Sequence, residues 1–98
     1  MPVAVKALLN ESSRVRYFGL YLFKDLVEKK QAYFQAEKAA EDLLTDSNGE
    51  VRYWALLLFQ SLVENGQSQD KAVKAAEVVL VNPEEHYLNS NLAKSLLY

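Results

Sequence analysis

The sequence predicts an all-α protein, a right-handed two-layer α-solenoid of about six helices in three antiparallel hairpins. Val15-Arg16-Tyr17 returns 36 residues later as Val51-Arg52-Tyr53. Laid 36 apart, segments 9–44 and 45–80 agree at 16 of 36 positions, and a period of that length marks a stacked repeat. Apolar spacing is helical: Val15, Phe18, Gly19, Leu22 and Leu26 fall at i, i+3, i+4, i+7 and i+11. Val51, Trp54, Ala55, Leu58 and Leu62 repeat them, and both sets are expected to point inward.

The elements follow in order. A short helix is expected over 2–9, then helices over 13–29, 32–45, 48–64, 69–81 and 83–97, all within a single domain, 1–98. Ser47 and Glu50 have the spacing of a capping box. Asn65-Gly66 stops the helix before it, since glycine accepts a left-handed conformation. The matching break near Lys29-Lys30 has no glycine and is placed by the repeat alone. Asn82-Pro83-Glu84-Glu85 offers a cap, a proline for the first helical position and a carboxylate able to reach back.

Two kinds of helix alternate. Segments 32–45 and 69–81 carry alanine stripes, Ala36, Ala39, Ala40 and Ala72, Ala75, Ala76, which permit close approach on one side. Segments 13–29 and 48–64 are apolar around most of their circumference and need cover on more than one side. The last helix is polar at its front, with Asn89, Ser90 and Asn91, as a terminal cap requires.

Asp46-Ser47-Asn48-Gly49-Glu50-Val51-Arg52, followed by Ala55 and Leu58, resembles a HEAT repeat, and Asn10 to Arg16 is a second match. The resemblance covers about residues 9–80. It implies that Val15 and Val51 are core. It also implies that Arg16 and Arg52 form a structural ladder with Asp46 and neighbouring carboxylates, ending where His86-Tyr87 replaces Val-Arg. A tetratricopeptide-like array is the competing resemblance, on Gly66, Ala72, Ala76 and Asn82-Pro83, but its spacings are off by a residue and its period is shorter.

Chemistry is sparse. There is no cysteine, hence no disulfide and no thiolate nucleophile or ligand. His86 is the only histidine and reads as a surface residue in the first turn of a helix. Glu37, Glu41 and Asp42 read as a solvated helix face beside Lys38. No phosphate-binding glycine loop is present. Enzymes such as bilin lyases are built on similar repeats, but nothing here positions an acid, base or nucleophile. The reading is therefore non-enzymatic, with no cofactor and no metal.

Net charge is −2 and the pI about 5.4, which disfavours nucleic acid and anionic membrane as partners. The longest apolar runs, Tyr17–Phe23 and Tyr53–Phe59, are far shorter than the roughly 20 residues of a membrane span. The start, MPVAVKALLNESS, is a poor signal peptide, and with the lack of cysteine it points to a reducing, cytoplasmic setting.

What remains is a surface. Once the inward set is assigned, Tyr17, Tyr21 and Lys24, then Tyr53, Leu57 and Gln60, then Leu88 and Asn91 share one face of the second helices, with the composition of a protein- or peptide-binding patch. The same residues could instead pack between neighbouring helices. The alternatives are self-association, as a homodimer through the open ends of a short stack, or a slice of a longer array.

Overall fold

The computed structural model describes residues 9–82 and 85–97. Among them are five helices and no strand: α1 (Ser13–Glu28), α2 (Tyr33–Leu43), α3 (Gly49–Glu64), α4 (Gln69–Leu80) and α5 (Tyr87–Leu97). The helix expected over 2–9 lies outside the described residues. The α3 helix is the hub and packs against all four others, α1 and α2 on one side and α4 and α5 on the other. The Cα envelope measures 34 × 31 × 15 Å, thinnest in one direction.

Side-chain size explains the packing. The one-sided stripes of α2 (Ala36, Ala39, Ala40, Leu43) and α4 (Ala72, Ala75, Ala76, Val79) are buried at positions 36 apart. On α3, Val51, Ala55, Leu56, Leu58, Phe59 and Leu62 are fully buried. Each of the larger side chains contributes about 1.5–3 kcal/mol by leaving water. On α1 the buried set is Gly19, Leu20, Phe23 and Val27.

That set corrects the expectation for α1. Val15 is 36 % exposed and Phe18 49 %, while Leu22 and Leu26 are half-buried. The α1 helix is apolar all round, so periodicity alone cannot choose its covered side. Among the described helices only α3 and α2 pack on it to any extent, and they take the Leu20/Phe23/Val27 side. Trp54, also expected inward, is half-buried at the edge of the core.

The helix ends repeat in atomic detail. After α1, Gln31 N–H donates to Leu26 O at 2.8 Å and Lys30 N–H to Val27 O at 2.9 Å. After α3, Gln67 and Gly66 make the same bonds to Leu62 and Val63 at the same distances. This is a Schellman closure, and its left-handed residue is Gly66 (φ 75°) in one case and Lys30 (φ 64°) in the other. Two residues on, Ala32 (φ 59°) and Ser68 (φ 58°) are also left-handed where α2 and α4 begin.

Two starts differ from expectation. Asn48, not Ser47, caps α3: its Oδ1 accepts from Glu50 N–H at 2.9 Å and Val51 N–H at 3.2 Å. The last helix begins at Tyr87 rather than 83, and Pro83 and Glu84 lie outside the described residues. His86 precedes the helix instead of sitting in its first turn. Its carbonyl accepts from Asn89 and Ser90 N–H, and its ring Nδ1 accepts from Leu88 N–H at 3.1 Å. The ring thus caps the start of the helix.

Candidate functional site: the arginine turns and the α1–α3–α5 face

Both Val-Arg arginines sit in the first turn of their helix and point back at the preceding chain. Arg16 donates from Nη1 to Asn10 O (3.0 Å) and Glu11 O (2.8 Å). Arg52 donates from Nη1 to Asp46 O at 2.7 Å, again six residues back. Each then reaches forward with two parallel bonds to a carboxylate. Arg16 takes Asp46 at 2.8 and 3.0 Å, and Arg52 takes Glu85 at 2.7 and 3.0 Å. Bidentate pairing fixes angle as well as distance, so each guanidinium ties one interhelical turn to the next.

The carboxylates are tuned accordingly. Burial opposes the charge on Asp46, but hydrogen bonds from Arg16 and the Asn48 N–H, with the charges of both arginines, outweigh it and hold its carboxyl below the ordinary range. Burial likewise opposes Glu85, whose side chain is 1 % exposed. Arg52, the Asn89 side chain and the His86 N–H outweigh it and again lower the carboxyl. Between α2 and the start of α4, Glu37 accepts from the Ser68 hydroxyl and from Lys71, which also pairs with Glu41 at 2.9 Å. The Ser68 bond, opposed by partial burial and aided by Lys71, lowers the Glu37 carboxyl. Glu37 and Glu41 therefore bridge two helices instead of forming a merely solvated face.

Asn89 is the residue that sequence reasoning missed. It is 2 % exposed, and its Nδ2 donates to Glu85 Oε1 at 2.9 Å and Gly49 O at 3.2 Å. Its polarity reads as cap surface in the sequence. The signal that could have found it is its i,i+4 spacing from Glu85.

The face formed by α1, α3 and α5 places the remaining candidates in three groups. Trp54 gathers the first: Tyr17 stacks on it at 6.3 Å between ring centroids, and Tyr21 meets it edge-on at 5.7 Å. Tyr17 is half-buried there, whereas Tyr21 stays 47 % exposed. Tyr53 and Leu88 come together in a cleft of about 470 Å³ between the starts of α3 and α5, bordered by Glu50, His86 and Asn89. Gln60 lines a second cleft of about 450 Å³ toward the other ends of α3 and α5, with Glu64, Val73 and Leu96. Lys24 is occupied by Glu28 on its own helix. Leu57 is half-buried, Asn91 is exposed, and neither lines these clefts.

This surface offers shape and apolar contact rather than reactive groups. Among the described residues no three of His, Cys, Asp and Glu gather as a metal site would require, and no described helix is long and apolar enough to cross a membrane. The chain matches no protein-family model, and no curated protein and no solved structure is significantly similar to it.

Proposed function

We propose that the chain is a HEAT-like, right-handed two-layer α-solenoid that serves as a non-enzymatic scaffold, binding a protein or peptide on its α1–α3–α5 face. The turn geometry supports the solenoid reading. The Schellman closures and the arginine contacts recur 36 residues apart, as stacked units would require. The observation that carries the binding reading is the run of half-exposed apolar side chains across neighbouring helices. Tyr21 lies against Trp54, and Tyr53 and Leu88 share a cleft. Aromatic and leucine side chains in part-open clefts with a charged rim (Lys24, Glu28, Glu50, Glu64) have the make-up of interface anchors. The opposite layer is a poorer candidate, because its charges are spent on one another through Lys71, Glu37 and Glu41.

Peptides selected from a random library on the purified protein should perturb the amide resonances of Tyr21, Tyr53 and Leu88. Tyr21→Ser with Leu88→Ser, both near half exposure, should weaken those peptides about tenfold or more while helical circular dichroism is unchanged. Selected peptides that map to the outer sides of α2 and α4, or that ignore both substitutions, would sink the reading.

A further inference from the structure

The exposed side of α1 has an order of its own. Arg14, Phe18, Tyr21 and Leu22, and Asp25 follow one another at i, i+4, i+7 and i+8, and i+11 along one strip of the helix. The strip is basic at its start, apolar in the middle and acidic at its end. Phe18 and Tyr21 are both about half exposed, and their rings stack at 6.0 Å, forming a preformed platform. Val15, 36 % exposed, borders it. Arg14 makes no ion pair with a described residue, and Asp25 pairs only with Lys29 on its own helix, where both remain largely exposed.

The molecule already contains a template for what such a surface accepts. On α3 the corresponding residues are Val51, Trp54 and Leu58. Val51 and Leu58 are fully buried, and Trp54 is covered by the tyrosines of α1. The α1 strip is the same kind of surface without an equivalent helix over it among those described.

We propose that the strip is a two-fold docking surface for a second copy of this chain, with two α1 helices packed antiparallel. The charge order selects this occupant. Antiparallel pairing centred between Phe18 and Leu22 sets Arg14 of each copy beside Asp25 of the other and buries Phe18, Tyr21 and Leu22 between them. A two-fold contact uses the same patch on both sides, and this strip complements itself. A head-to-tail neighbour fits less well. Asn10 stands where Asp46 stands in the next unit, so the position that receives an arginine within the chain carries an amide here. The end face spans no more than the 34 × 15 Å outline of the envelope, which puts the area buried near the lower limit of about 1,000 Å² for a specific interface.

Sedimentation velocity on the full chain, from about 1 to 500 µM, tests the proposal, since this range brackets a micromolar dissociation constant. A monomer–dimer equilibrium is expected. Phe18→Glu should leave a monomer with unchanged helical circular dichroism, and Val15→Lys gives the same reading should that variant fail to fold. Arg14→Glu and Asp25→Arg should each weaken the dimer about tenfold, and the double charge swap should return it to within about threefold of the original. Tyr21 belongs to both surfaces, so the separating readout is the Tyr53/Leu88 cleft: peptides that map there should still bind Phe18→Glu. A chain that stays monomeric at the highest concentration overturns the proposal, whatever else covers the strip. A dimer indifferent to Phe18→Glu, or a charge swap that fails to restore association, overturns it equally.

Discussion

Helices α1 and α3 share VRY…LVE and close with the same hydrogen bonds, yet they bury their common residues differently. Phe23 and Phe59 are equivalent, and both are buried. Leu22 and Leu58 are also equivalent, but Leu58 is fully buried and Leu22 only half. Burial thus follows a helix's place in the row, not its local pattern: α3 has neighbours on both sides, and α1 has described neighbours on one. Alanine substitutions convert this into a measurement. Phe23→Ala and Phe59→Ala should each cost about 3–5 kcal/mol in urea unfolding. Leu58→Ala should cost about 3 kcal/mol and Leu22→Ala about 1 kcal/mol, in proportion to the surface already open. Equal losses at Leu22 and Leu58 would mean that α1 is covered as fully as α3.

The two arginines sharpen the same contrast. Each ties its own turn to the next, but Glu85 is more deeply enclosed than Asp46, with side-chain exposures of 1 % and 9 %. Arg52→Met strands a buried carboxylate and should cost about 3 kcal/mol at neutral pH, with Arg16→Met costing about 2 kcal/mol. The pH dependence has a definite sign. Asp46, Glu85 and Glu37 are held below their ordinary values, so their stabilisation is complete above the usual carboxylate range and is lost as pH falls through their lowered values. In Arg52→Met the stranded Glu85 gains from protonation, so the gap between variant and parent should narrow on acidification below about pH 5. A gap that is constant from pH 7 to 3 in urea midpoints would show that the carboxylate is not the source of the loss.

Asn89 shows where legibility in the sequence runs out. Helical periodicity, the 36-residue echo, the alanine stripes and the Gly66 stop are short-range or repeated signals, and they point to the all-helical chain that the structure contains. Which side of α1 is covered, and that an asparagine in the polar front of the last helix is buried, depend on groups 30 to 40 positions away, among them Gly49 O, 40 residues from Asn89. The candidate face divides in the same way. Tyr53 and Leu88 come together across a cleft, while Tyr17 turns to Trp54 and Lys24 to Glu28, because an aromatic neighbour and a carboxylate at i+4 offer nearer partners than solvent does. Asn89→Leu, close in size but unable to donate, should cost about 1–3 kcal/mol by leaving a lone pair of Glu85 without its donor and removing the second donor to Gly49 O. Asn91→Leu, at an exposed position on the same helix, should change little.

The smallest effect separates the two closures most cleanly, because they share one backbone conformation and differ in the residue that holds its left-handed position. Lys30 and Gly66 hold the same left-handed position, with φ of 64° and 75°. A side chain there costs about 1 kcal/mol relative to glycine. At Gly66 an added Cβ would meet nothing within 4 Å, so Gly66→Ala isolates that conformational cost and should destabilise by about 1 kcal/mol. Lys30→Gly should run the other way and stabilise by somewhat less. It loses the Nζ bond to Asn65 Oδ1, which is exposed and contributes little, and it gains a more flexible unfolded chain that offsets part of the relief. Thermal or urea unfolding of the two single variants and the double exchange reads both signs at once. A destabilising Lys30→Gly would mean that the lysine side chain holds the α1–α2 turn by contacts outweighing its strained backbone.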